Sequence, residues 1–202
     1  DCETNAFKRM IKRIKKNYPK YKFIITGDGL YATTPIIKLC KKYKWNYIFN
    51  LKPDRLKEIN ETFEDNINYQ NETTHQNYYL STDIKYKGIS LSAFKYIETK
   101  KKKTTIFRYI SDLEIKDSNI KEIVSMGRKR WKIENEGFYT QKHRTFNISH
   151  LNSRNDTAMK NHYFFIQFAH TIRQLLEQGN LLTKSLKLKI KEVSHLLLDT
   201  LT

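Results

Sequence analysis

Lys22-Phe23-Ile24-Ile25-Thr26, followed at once by Gly27-Asp28-Gly29, is the stretch on which the architecture turns. The apolar run is short, rich in β-branched residues and bounded by turn chemistry, so it predicts a buried strand that stops at Gly27. Thr34 followed by Pro35 then predicts an N-cap with proline in the first helical position, and Ile36, Ile37, Leu39, Cys40 and Tyr43 supply a short apolar helical face. Trp45 to Leu51 reads as a second buried strand. Strand, helix and strand in such quick succession imply a right-handed crossover in a parallel sheet. Ligands of such sheets gather at the carboxyl ends of the strands, which is where Asp28 falls.

Upstream, residues 3 to 17 repeat apolar positions at Phe7, Met10, Ile11 and Ile14 among Lys and Arg, the period of a helix with a basic outer face. Downstream, residues 54 to 75 are polar and irregular, with a possible helix over Leu56 to Phe63. From Tyr78 to Ile110 the texture alternates: Tyr78/Leu80/Thr82, Ile84/Tyr86, Ile89/Leu91 and Thr104/Ile106/Arg108, with turns at Gly88 and at the run Lys100 to Lys103. This predicts an inserted antiparallel sheet. The helical period returns from Ile120 through Val124, Gly127, Trp131 and Phe138 to about Lys142. Asp156 to Gln178 is apolar nearly all round, with Phe164, Phe165, Phe168, Ile172, Leu175 and Leu176, and predicts a core helix. A last helix carries Leu186, Ile190, Val193 and Leu197 on one stripe.

The composition supports one ordinary domain, or one domain with an inserted subdomain: 202 residues with 39% apolar and 13% aromatic side chains can build a sizeable core. A net charge of +17 favours a polyanionic partner, nucleic acid before acidic membrane. The excess of Lys, Ile, Asn and Tyr also fits the codon bias of an AT-rich genome. No run of ~18 apolar residues and no signal-peptide pattern is present, which predicts a cytoplasmic protein that does not engage the membrane. Cys2 and Cys40 are too few and too far apart for a disulfide framework or a thiolate zinc site, and both are expected to be small buried residues. His143, His150, His162 and His170 match no zinc spacing; the first two follow the Glu134 helix closely enough to approach phosphate.

Two carboxylates carry the chemistry. Trp131, Glu134 and Phe138 are spaced three and four apart, so Glu134 is expected on the stripe facing the sheet, where it requires a cationic partner. That partner is a metal ion or, alternatively, Arg130 four residues earlier. Asp28 has its own alternative, since Gly-Asp-Gly is common turn chemistry. Together, one carboxylate at a strand end and one on a core-facing helix match the needs of Mg²⁺-assisted phosphoryl transfer.

The segment Ile24 to Ala32 resembles the stretch around the second catalytic Asp of bacterial insertion-sequence transposases with a ribonuclease-H-like core. Arg130-Trp131-Lys132-Ile133-Glu134-Asn135-Glu136-Gly137-Phe138 resembles their Glu-bearing helix. Asp1-Cys2-Glu3 with its basic helix, Asn50-Leu51-Lys52, and Ala158 to Tyr163 are similar as well, so the likeness covers nearly the whole chain. It implies an α/β fold: a ribonuclease-H-like core over residues 1–53 and 116–202, a β-rich insertion over 54–115, and a helical C-terminal part. It also implies a DDE active site using Mg²⁺ or Mn²⁺, with Asp28 and Glu134 as the second and third acidic ligands. Double-stranded DNA, as transposon ends and target, is the implied partner, with two copies acting as a homodimer on paired ends.

Arg130 stands where the family's Tyr-Arg-Glu-Lys signature has its Arg, but Gly127 replaces the Tyr and Gln141 the Lys, with Lys142 one step later. Arg130, Lys132, Lys142 and Lys52 are the expected phosphate contacts. The family's first catalytic Asp lies upstream of the segment that opens here, so this chain alone is expected not to complete a three-carboxylate site. Other readings are a remnant that binds DNA without chemistry and a metal-dependent nuclease on the same core.

Overall fold

The computed structural model describes residues 2–73, 75–101, 103–143, 146–150, 152–178 and 199. The chain divides into two compact units, with the boundary between Lys132 and Ile133.

In the first unit, the described residues form a six-stranded sheet in the order β1-β2-β6-β5-β4-β3. The predicted opening is present: helix α1 (Glu3–Asn17), strand β1 (Ile24–Gly27), helix α2 (Thr34–Lys42) and strand β2 (Asn46–Asn50), with β1 and β2 parallel and Gly27 opposite Phe49. Phe7 and Ile11 of α1 are buried, while the basic residues between them face outward. Two expectations need correction here. β1 is not fully buried, because it is the outer strand of this sheet and Ile24 is 42% exposed. The N-cap of α2 is Thr33 rather than Thr34, with Pro35 still inside the first turn, where its missing N–H costs nothing.

After helix α3 (Lys57–Asp65), strands β3 (Tyr69–Glu72), β4 (Gln76–Tyr86), β5 (Ile89–Lys100) and β6 (Lys103–Ser111) run antiparallel in succession, and β6 closes onto β2 through Phe49–Ile110 and Asn50–Tyr109. The alternation over 78–110 therefore forms the predicted antiparallel strands, with turns at Gly88 and within Lys100–Lys103. The short polar strand β3 has no signal of its own in the sequence.

The sheet is covered on both faces. One core joins α1, α2 and α3 to Tyr47, Phe49, Ile84, Tyr86, Leu91 and Ile110. The other joins helix α4 (Ile120–Lys132) to Ile48, Tyr78, Leu80, Phe94, Tyr96 and Tyr109. Strand β4 contributes to both cores. Its register slips by one residue between Ser81 and Ile84, where Asp83 takes φ +59, and one extra residue moves every later side chain to the other face. Burying an Ile or Phe is worth about 1.5–3 kcal/mol, so this bulge lets Ile84 and Tyr86 join the first core while Tyr78 and Leu80 serve the second. Tyr86, Phe94 and Tyr96 are core aromatics.

In the second unit the α4 helix continues as a π-helical turn (Ile133–Phe138), then helix α5 (Tyr139–His143) and helix α6 (Asp156–Gln178). Asn155 caps α6 by accepting the Ala158 N–H at 3.0 Å. The expectation of a core helix over 156–178 is overturned for its side chains: Phe164, Phe165, Phe168 and Leu175 are each at least 65% exposed. A helical period states which residues share a face, and the described residues place nothing over these. The predicted helix through Leu186 to Leu197 lies outside the described residues. Cys40 is buried as expected and its thiol is pushed up to about 12, chiefly by burial; Cys2 is exposed, because it precedes α1 at its open end.

Candidate active site

Asp28 sits one residue past the end of β1 in a turn it helps to build. Its Oδ1 accepts the Leu30 N–H at 2.8 Å and its carbonyl accepts the Tyr31 N–H at 3.1 Å. This Asx turn is the alternative that the sequence left open, and it holds the carboxylate half-buried at the strand end rather than removing it from solvent. A side chain at either flanking glycine would press on a neighbour. A Cβ on Gly27 would stand 3.0 Å from Phe49 Cδ1, and one on Gly29 only 2.8 Å from Lys52 Cγ. Burial and, after it, the charges of Glu3 and Asp28 push the neighbouring Tyr31 hydroxyl above its ordinary range.

Lys52 thus lies across Gly29 beside Asp28, its side chain reaching solvent. Its backbone is pinned from below: Asn60 of α3 donates to the carbonyls of Lys52 (3.2 Å) and Arg55 (2.8 Å), and Leu51 N–H donates to Arg108 O at 2.8 Å. Sequence reasoning missed Asn60, since a polar residue on a short helix gives no sign that it will be buried. It also missed Arg55, which with Thr33, Thr34 and Pro35 lines an open cavity of about 420 Å³ near the same turn.

On the opposite face, α4 presses against the sheet at Gly127. A Cβ there would come within 2.9 Å of Tyr109 Cε1 and 3.2 Å of Ile48 Cγ2. The space at Gly127 is therefore filled by the ring of Tyr109, brought in from β6. Burial pushes Tyr109 up to about 12, against the pull of the Arg128 and Arg130 guanidiniums. Tyr109 pairs with Asn50, and Asp28 follows the Gly27–Phe49 pair, so Asp28, Asn50, Tyr109 and the last turns of α4 share one level along the strands. The Arg128 guanidinium lies further along the strands, held by Glu98 (3.3 Å) and by the rings of Phe107 and Tyr96, 4.9 and 5.6 Å from its guanidinium carbon. The Lys100 ammonium holds the Glu98 carboxyl below its usual range, with burial working against it and Arg128 adding to it. Arg130 is half-buried and Lys132 exposed.

Glu134 and Lys142 belong to the second unit. The stripe Trp131–Glu134–Phe138 does not face a core: Trp131 is 59% and Phe138 49% exposed, and Glu134 is exposed with them. Spacing places these residues along the helix but supplies nothing to cover them: no residue of Ile133–Phe138 is buried, and from Ile133 the backbone is π-helical. Gln141, in the place of the signature's Lys, is buried; its amide pairs with that of Gln167 (3.0 and 3.1 Å) and its Nε2 lies 2.8 Å from His170 Nδ1. A lysine there would carry its charge into this network, whereas Lys142, one step on, is exposed. Of the histidines, His170 is a hydrogen-bonded buried residue, and His162 lies against Asn152 Nδ2 at 2.6 Å. Among the described residues no three His, Cys, Asp or Glu side chains converge as a metal cage.

A family model described as a transposase DDE domain matches residues 3–172, most of the chain. The chain belongs to the DDE transposase family. DDE transposases cut and transfer DNA strands and generally use divalent metal ions, so DNA is the substrate class of this domain. No curated protein matches the sequence. Among the described residues no helix of this transposase domain is long and apolar enough to cross a membrane.

Proposed function

We propose that this chain is the catalytic domain of an insertion-sequence transposase, cleaving phosphodiester bonds at transposon ends and joining the released 3′-hydroxyl to target DNA. On this reading residues 1–53 and 116–202 are a ribonuclease-H-like core and 54–115 an insertion carried on it, which agrees with an antiparallel run of strands entered after β2 and left before α4. Asp28 and Glu134 would hold Mg²⁺ or Mn²⁺. The donor set suits such an ion, which takes one or two carboxylates and leaves its remaining positions to water and phosphate. Asp28 fits because its Oδ1 is anchored by a backbone N–H while Oδ2 remains for a ligand. When bound, the ion supplies a Lewis acid for the phosphoryl oxygens and lowers the pKa of the attacking water.

The protein's own contribution is orientation. The Asx turn fixes the Asp28 carboxylate at the strand end, and the Lys52 ammonium beside it meets a phosphate there. Arg130, Lys132 and Lys142 would take further phosphates along the Glu134 helix, Arg130 with the bidentate geometry that a guanidinium offers. The observation that carries the reading is the match of the transposase DDE domain model to residues 3–172, together with the Asp28 carboxylate anchored at the end of β1. The test is divalent-metal-dependent nicking, by the full-length protein, of duplex DNA bearing the inverted repeats that flank the gene. Asp28→Asn and Glu134→Gln are each expected to abolish nicking while leaving DNA binding nearly intact; retained nicking in either would overturn the ligand assignment.

A further inference from the structure

Two of the sheet's hairpin turns, β4–β5 and β5–β6, carry lysine and lie at opposite ends, while the β3–β4 turn lies beside the β5–β6 turn, the Thr99 N–H donating to the His75 carbonyl at 3.0 Å. The β4–β5 turn is Lys87-Gly88, with φ +48 and +75, and the β5–β6 turn follows the Lys100–Lys103 pair, with Lys101 at φ +55. Two-residue hairpin turns favour Asn-Gly or Gly because both positions need positive φ. The first turn follows that preference at Gly88. The second has Lys101 at positive φ and no glycine in the run from Lys100 to Lys103, so turn chemistry does not explain its residues.

Register shows where that turn lies. β6 runs antiparallel to β2, Tyr109 opposite Asn50, so going from Tyr109 back to Lys103 continues past the strand ends on the side of Asp28. Six residues at ~3.3 Å each carry the turn roughly 20 Å beyond the level of Asp28. Its end is basic: Lys101 and Lys103 are exposed, and Lys100 is exposed while paired with Glu98 at 2.9 Å. Glu98, two pairs short of the turn, also pairs with Arg128 and ties this end of the hairpin to α4. The β4–β5 turn, with Lys85 and Lys87, lies at the far end of the sheet, since Ile89 and Leu91 precede the Ser92–Ser111 pair.

From this placement we propose that the β5–β6 hairpin is a DNA-backbone arm: Lys101 and Lys103 grip phosphates of a duplex roughly six base pairs from the bond at Asp28, taking ~3.4 Å per base pair. The proposal rests on reading Asp28 as the cleavage site, but the contact itself does not depend on cleavage. A backbone contact positions DNA and carries no sequence information.

The experiment measures binding of the full chain to a fluorescent 40-base-pair duplex of arbitrary sequence as a function of salt. Lys101→Ala/Lys103→Ala is expected to lower the slope of log K against log salt by about 1.8, and to weaken binding at least roughly tenfold at 0.1 M salt, because each phosphate contact contributes ~0.9 to the slope. Lys85→Ala/Lys87→Ala removes the same charge at the other end and should leave the slope unchanged. Equal losses in both pairs would mean a general charge effect and would overturn the arm, as would no loss in the first pair. A separate nicking assay with Asp28→Asn reports on the cleavage site, so a failure there leaves the slope comparison interpretable.

Discussion

The turn that carries Asp28 lies between two glycines at which a Cβ would press on Phe49 and Lys52, whereas Gly137, in the π-helical turn that carries Glu134, has nothing within 4 Å of where a Cβ would stand. No residue of Ile133–Phe138 is buried, while Gly27 and Gly29 both are. One acid is positioned by packing against β2 and Lys52, the other by the geometry of its helix. Two motifs that look equally well defined as sequence thus tolerate different changes, because a packed turn transmits any added atom to the carboxylate and an open helical turn does not.

The largest effect is expected where the two regions act together. If Asp28 and Glu134 serve one chemical step, each single neutralisation should cost on the order of 10³ in nicking rate, several kcal/mol of transition-state stabilisation, and the double variant little more than either. Additive losses in single-turnover assays would separate their roles.

The glycines test the contrast directly. Gly127→Ala, which drives a methyl into the Tyr109 ring, should cost about 1–2 kcal/mol in urea denaturation, with overpacking exceeding the gain in helix propensity. Combining it with Tyr109→Leu should recover most of that loss. Gly29→Ala should cost a similar ~1–2 kcal/mol and also slow nicking, since Lys52 and the Asp28 turn must move together. Gly137→Ala should instead raise stability by about 0.5–1 kcal/mol, the ordinary helical preference for alanine. A loss there comparable to that of Gly29→Ala would remove the distinction between the two turns.

The smallest effect concerns pH. The Glu98 carboxyl lies below its ordinary range in the folded chain, so the unfolded chain binds its proton first as pH falls. The stabilisation is complete above the unfolded value and is lost as pH drops through the folded one. Acidification from about pH 5 to about pH 3 should therefore destabilise the parent more than Glu98→Gln, by under ~1 kcal/mol for a pair this close to the surface. Equal slopes of stability against pH would show that the Lys100–Glu98–Arg128 contact adds nothing.

Much of this could be read from residue order. The β-branched run ending in Gly-Asp-Gly, the Thr-Pro helix start and the alternation from Tyr78 onward each reflect local chemistry, and each element formed within a few residues of its expected place. Local signals failed where partners decide. Strand β3 is polar and exists because β4 offers it a hydrogen-bonding edge. The bulge at Asp83 follows from one strand having to serve two cores. The stripe through Glu134 is exposed because helical spacing states which residues share a face and not what covers it.

What the sequence by itself determined, then, is the order and type of most of the elements, the basic character of the chain, and the two acidic residues at recognisable motifs, since period and turn chemistry are properties of neighbours in the chain. Only the tertiary structure decided that Tyr109 fills the place left by Gly127, that Gln141 is buried against Gln167 and His170, and that Lys52 lies across Gly29. Those relations join residues 18 to 29 positions apart, and space rather than sequence distance settles which side chain occupies a given volume.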